Sequence, residues 1–208
     1  MTKQAATLGD LLAKLRKDPA WSARQAQEEQ RREEARGELR RHEQPVVSAL
    51  RAAGFAVDSV WDLVNTATPY PAAIPVLLAH LPTTEHPRVR EGIVRALSVK
   101  EAGNAAWEPL LRQLEASATW EEGLATGLWD ALAYALAVLA VRDRTTELLQ
   151  LLRDQRYGTA RIFFLDALGK VGDDTALPVL TEFEREGELG DHARRASARI
   201  RRQLRKRR

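Results

Sequence analysis

Cysteine is absent from the 208 residues, and methionine occurs once. A thiolate zinc site, a thiol nucleophile and a disulfide framework are therefore excluded. The 4 histidines, His42, His80, His86 and His192, are far apart, and none follows another by three or four residues. Paired imidazole ligation along one helix face is not expected, and no metal is. Period-two clusters of β-branched residues are also missing, so strands are not expected. No apolar run is long. The longest, Ala131 to Val141, has 11 residues, against about 20 for a bilayer span. The first twenty residues scatter Lys3, Asp10, Lys14, Arg16, Lys17 and Asp18 among Leu8, Leu11, Leu12 and Leu15. That leaves no uncharged core for a signal peptide, and a cytoplasmic protein is expected.

What is present is the composition of an ordinary globular domain, 44% hydrophobic and 29% charged. A chain of this length buries roughly 70% of its unfolded surface and needs no cofactor in order to fold. Its charge is unevenly placed. Residues 1–70 carry 11 basic and 10 acidic side chains, 71–190 carry 12 and 18, and 191–208 carry 9 and 1. The body is acidic, and the basic character belongs to the last eighteen residues.

Helical periodicity dominates after residue 45. Ahead of it, Thr7 with Asp10 predicts a cap for a short amphipathic helix bearing Leu8, Leu11, Leu12 and Leu15 on one face, ended by Asp18-Pro19. Ser22 with Gln25 reads as the capping box of a solvent-exposed helix over Ala23 to Glu43, supported by Glu28 with Arg32 and Glu38 with Arg41. Residues 1–44 are accordingly expected to form a helical extension, too poor in apolar residues for a coiled-coil seam.

Internal repetition decides the expected fold. Four segments align as first helices: Pro75 to His80, Pro109 to Leu114, Glu147 to Leu152 and Pro178 to Phe183. A proline in the first turn leaves no hydrogen bond unmade, which predicts helix starts at Pro75, Pro109 and Pro178. Three segments align as second helices. Each carries one apolar stripe: Val89, Ile93, Ala96 and Leu97; Leu128, Leu132, Ala135 and Leu136; Ala160, Phe164, Ala167 and Leu168.

The run Ala167-Leu-Gly-Lys-Val-Gly-Asp-Asp-Thr-Ala-Leu-Pro-Val-Leu180 resembles the junction of bacterial HEAT-like repeats, the kind also found in phycobilin lyases. Arg90 and Arg161 stand where that family places its Val-Arg arginine, and Trp129 departs from the pattern in the middle repeat. The resemblance covers about residues 71–190. It implies an all-α solenoid of about four to five helical hairpins over residues 45–208, and it is nearly silent on function. Pro45 to Ala53 with Asp58 to Asn65 then reads as a degenerate first hairpin, with Gly54 ending its first helix. Ala193, Ala196, Ile200 and Leu204 make a thin apolar stripe for a basic capping helix over 191–208.

Catalytic signals are lacking. No nucleophile elbow or phosphate loop occurs; Gly169 and Gly172 read as left-handed residues of a helix-ending turn, and Asp173-Asp174 as an N-cap. HEAT-like DNA glycosylases resemble the expected fold and use Trp, Asp and Arg on their concave face. Here Trp129, Asp130 and Arg161 are the nearest counterparts, but no Trp and Asp stand four apart on one helix face and the repeats are acidic. Trp61, Trp107, Trp120 and Trp129 read instead as packing residues.

The expectation is a non-enzymatic protein–protein interaction module, an adaptor, scaffold or inhibitor-type partner, with no cofactor. The concave face of a HEAT-like solenoid would present Glu91, Arg95, Asp130, Tyr134, Ile162 and Asp166, a mixed set closer to a protein interface than to a phosphate groove. The alternative is nucleic-acid binding through Arg199, Arg201, Arg202, Arg205, Lys206, Arg207 and Arg208. Against it, cations at a helix C-terminus already favour the helix dipole, and no aromatic residue interleaves them as a stacking platform.

Overall fold

In the computed structural model, the described residues are 18–117 and 122–206, with the backbone alone for 122–126. The expected helix around Leu8 to Leu15, Trp120 and the terminal Arg207 and Arg208 lie outside them. The protein is all-α, with no strand among the described residues. It divides into two compact units, Met1–His42 and Glu43–Arg208.

Helix α1, Pro19–Ala52, crosses the division as one helix of 34 residues. Its start is not at Ser22. Asp18 accepts the amide of Ala20 at 2.9 Å, and Pro19 takes the first turn, so Ser22 falls inside the helix with its amide on Asp18 O. The expected boundary at Pro45 is likewise crossed without a break. Only one backbone bond is lost, to the carbonyl of exposed Arg41, where water can replace it. Up to His42 the surface is nearly all solvated. Glu28 and Arg32 pair at 3.6 Å, and Glu33 meets Arg40 at 2.8 Å. Glu38 lies 4.0 Å from His42, one turn on. Such exposed pairs add little to stability, because water screens them and two long side chains must be held in place.

The second unit holds the core. Val46, Val47 and Leu50 of α1 are buried, and Gly54, at φ +93°, ends that helix as expected. The following helix, α2, is shorter than expected and spans only Trp61–Val64. The buried carboxylate of Glu43 holds it in place, accepting the Val60 amide and the Ser59 hydroxyl, both at 2.7 Å.

Eight helices follow: α3 (Ile74–His80), α4 (Pro87–Ala96), α5 (Gly103–Ser117), α6 (Glu122–Leu139), α7 (Thr145–Arg153), α8 (Arg161–Val171), α9 (Leu177–Phe183) and α10 (Gly187–Arg205). α4 packs on α6, α6 on α8 and α8 on α10, while α5, α7 and α9 pack on α6, α8 and α10 in turn; α2 rests on α4. All twelve residues of the three expected apolar stripes are buried, as are Ala193, Ala196 and Ile200 of α10. The hydrophobic effect acts on these faces, and each helix supplies only one side of the core it helps to form.

Two further expectations need correction. Pro75 and Pro178 do sit in first turns, but Pro109 lies mid-helix in α5, which starts six residues earlier at Gly103. The carbonyl it leaves unpaired belongs to exposed Ala105. Neither Gly169 nor Gly172 is left-handed: Gly169 is helical within α8, and Gly172 has φ −62°. Their need for glycine is steric. A Cβ on Gly169 would lie 3.0 Å from the Cα of Ala196, and one on Gly172 would lie 2.5 Å from the carbonyl oxygen of Leu168.

Candidate functional site

Three of the expected interface residues come together across α4 and α6. Glu91 is buried, and its carboxylate accepts Arg88 Nη1 and Arg95 Nε, each at 2.8 Å. These are i,i+3 and i,i+4 neighbours, so the helix itself positions both cations. Trp61 of α2 completes the cluster. The Arg88 guanidinium lies 4.0 Å from its ring centre, and Gly92 leaves room for the indole, since a Cβ there would meet Trp61 Nε1 at 3.0 Å. Gly127 of α6 lies against the same carboxylate, where a Cβ would make an ordinary contact of 3.8 Å with Glu91 Oε2. One turn on, burial pushes the Asp130 carboxyl above its ordinary value; Arg95 opposes the rise and Glu91 adds to it.

Beside this cluster is a cleft of about 370 Å³, lined by Arg95 and Tyr134 together with Thr66, Thr68, Ser98 and Glu101. Tyr134 is 47% exposed and, with Val141, is one of two large apolar residues so presented among the described residues. Its ring meets Phe163 of α8 edge-on at 5.8 Å. Ile162, next along α8, is half-buried. Phe163 was not foreseen. It falls on a position between the stripe residues, and only the lateral approach of α6 and α8 brings it to Tyr134.

Asp166 stands apart from this group. It is exposed on α8 and pairs with His192 of α10 at 3.1 Å. His86 caps α4 by accepting the Arg88 amide at Nδ1. No group of three or more candidate metal ligands occurs among the described residues.

Trp129, aligned with Arg90 and Arg161, has a packing role of its own. Trp129 is buried, and its indole N–H donates to Ser117 Oγ at 2.9 Å. Ser117 in turn donates to Leu114 O, which ties the end of α5 to α6. Arg161 donates to Gly158 O at 3.0 Å and lies 3.7 Å from Glu186. Both side chains are thus engaged in packing and turn bonds; Trp129 and Asp130 line a common cleft of about 260 Å³ with residues 155–160, but Arg161 is not part of its lining. Trp107 is likewise internal, its N–H donating to Glu147 at 2.7 Å, while Trp61 stays half-buried.

The basic residues of α10 lie on its outer side. Arg199, Arg201, Arg202, Arg205 and Lys206 are exposed, and Leu204 is half-buried. No helix among the described residues is long and apolar enough to cross a membrane. Comparison with protein-family models, with curated proteins and with solved structures finds no match to this chain.

Proposed function

We propose that the protein is a non-enzymatic protein–protein interaction module, a HEAT-like α-solenoid that takes its partner on the face presented by α4, α6 and α8. The observation that carries this reading is the exposed Tyr134, braced by Phe163 and set beside Arg95 above an open cleft. Tyrosine and arginine are the residue types most enriched where interfaces concentrate their energy. A ring held edge-on by a neighbour and a guanidinium held by Glu91 have little rotamer freedom left to lose on binding. The sequential packing of the helices and the three buried stripes support the solenoid.

A photo-crosslinking phenylalanine analogue placed at Tyr134, and separately at exposed Arg112, tests the reading in cells. A protein adduct of defined mass at 134 and none at 112 is the expected result, and it should disappear in the Arg95→Ala background while circular dichroism shows that variant to be folded. Equal labelling at both positions, or none at 134, would overturn it.

A further inference from the structure

Across the second unit, many cations have a carboxylate partner. Arg51 meets Asp58; Arg88 and Arg95 share Glu91; Arg144 holds Glu147; Arg156 holds Asp154; Arg194 holds Asp191. Among the described residues, Lys100, Arg112, Arg142 and Arg185 also have no ion pair, but each stands singly on its own segment, whereas past Arg194 such cations are clustered. Among the described residues, no carboxylate lies within ion-pairing distance of Arg195, Arg199, Arg202 or Lys206 on α10, or of Lys170 at the end of α8.

These five are also arranged. Arg195, Arg199, Arg202 and Lys206 follow one another at intervals of four, three and four residues, which is one line along an α-helix about 16 Å long. At its start, Arg195, Arg199 and Lys170 frame a cleft of about 360 Å³ whose floor is Gly169 and Ala196. The close approach of α8 and α10 at Gly169 makes this floor. The stem of Arg199 crosses it, 3.7 Å from where a Gly169 Cβ would be. Gln203 fixes the relation of the two helices by donating to the carbonyls of Gly169 and Lys170 at 3.3 and 3.2 Å. The one acidic residue on the rim, Asp166, is already paired with His192.

We propose that this cleft and the line of cations leading from it bind the phosphate backbone of a single-stranded nucleic acid, independently of the partner face proposed above. Guanidinium forks match phosphate oxygens, and a regular line of charge suits a polymer with one charge per residue. A single line fits one strand; a duplex presents two. An acidic protein partner would find no anchor here, because the floor offers only a glycine and an alanine where an interface needs a pocket for a large side chain. Contacts to phosphate carry no base information, so binding is sequence-blind. The acidic residues 71–190 repel the strand elsewhere and confine it to this edge.

The test is anisotropy of a fluorescein-labelled 16-nucleotide mixed-sequence single strand with the full chain. About four phosphate contacts give a slope near −3 for log K against log salt, so affinity should fall on the order of fifty-fold between 50 and 200 mM salt. Lys170→Glu with Arg199→Glu should weaken binding at least tenfold and roughly halve the slope. Arg112→Glu with Arg185→Glu makes the same change in net charge on exposed residues elsewhere and should stay within about threefold of the parent. Circular dichroism and melting temperature confirm that each variant is folded. Equal loss in both pairs, a flat salt response, or displacement by polyglutamate as effective as by unlabelled strand would overturn the proposal, the last in favour of an acidic protein.

Discussion

The guanidinium of Arg90 donates from Nε, at 2.8 Å, to the carbonyl oxygen of Thr84 in the turn that leads into its own helix, and Nη2 donates to the same oxygen. Arg161 does the corresponding thing at the start of α8, with Gly158 as the acceptor. At Thr84 a partly buried carbonyl is thereby satisfied, and in both places the turn is tied to the helix that follows it. Burial pulls the Arg90 pKa down and Glu85 opposes the shift, but the group stays charged at any pH the fold survives.

Replacing Arg90 with alanine should therefore destabilise the protein by about 1–3 kcal/mol, the scale for leaving a buried acceptor without its charged donor. Urea unfolding followed by far-ultraviolet dichroism measures it. A loss below about 0.5 kcal/mol would mean that water replaces the guanidinium at little cost.

Gly169→Ala distinguishes two causes for a glycine inside a helix. On intrinsic preference alone the alanine should stabilise by about 0.5–1 kcal/mol. The Cα of Ala196 at 3.0 Å is backbone and cannot turn aside, so α8 and α10 must separate and a net loss of about 1 kcal/mol or more is expected. The sign of the change in urea midpoint decides between them.

Asp130→Asn should raise the melting temperature at pH 7. Burial raises this carboxyl's pKa in the folded state above the ordinary value of about 3.9, so ionising it costs folded stability as pH climbs through that range. The asparagine removes the cost. The gain should vanish below about pH 3, where the carboxyl is protonated in both states. In a domain of this size about 1 kcal/mol corresponds to 2–4 °C.

Asp173 has the opposite sign. Hydrogen bonds from the Thr175 hydroxyl, and then from its amide at 3.0 Å, hold the Asp173 carboxyl below its ordinary value. A depressed folded pKa stabilises the fold above the unfolded value and stops doing so as pH falls through the folded one. Asp173→Ala should cost about 1 kcal/mol at pH 7, the worth of an N-cap, and much less near pH 2. Melting curves at the two pH values check it.

The residues by themselves determined where the helices bury their faces. The twelve stripe positions, the Gly54 stop and the Asp173 cap are each set by spacing along one helix or by one residue's own backbone chemistry, and all are found as expected. Helix starts were less legible. Pro45 and Pro109 looked like first-turn prolines, and both are interior because the carbonyl each leaves unpaired sits on the solvent side, a matter of packing. For Gly169 and Gly172 local sequence suggested φ, whereas the constraint is contact, in one case with Ala196 of α10. The candidate sites depended on the tertiary structure most of all. Glu91 with Arg95 is an i,i+4 pair visible in sequence, but the Tyr134–Phe163 contact and the cleft that joins Lys170 to Arg195 and Arg199 exist only where α8 packs against α6 and α10. Periodicity assigns a residue to the inward or outward side of its own helix; which outward residues become neighbours is decided by how closely the helix axes approach.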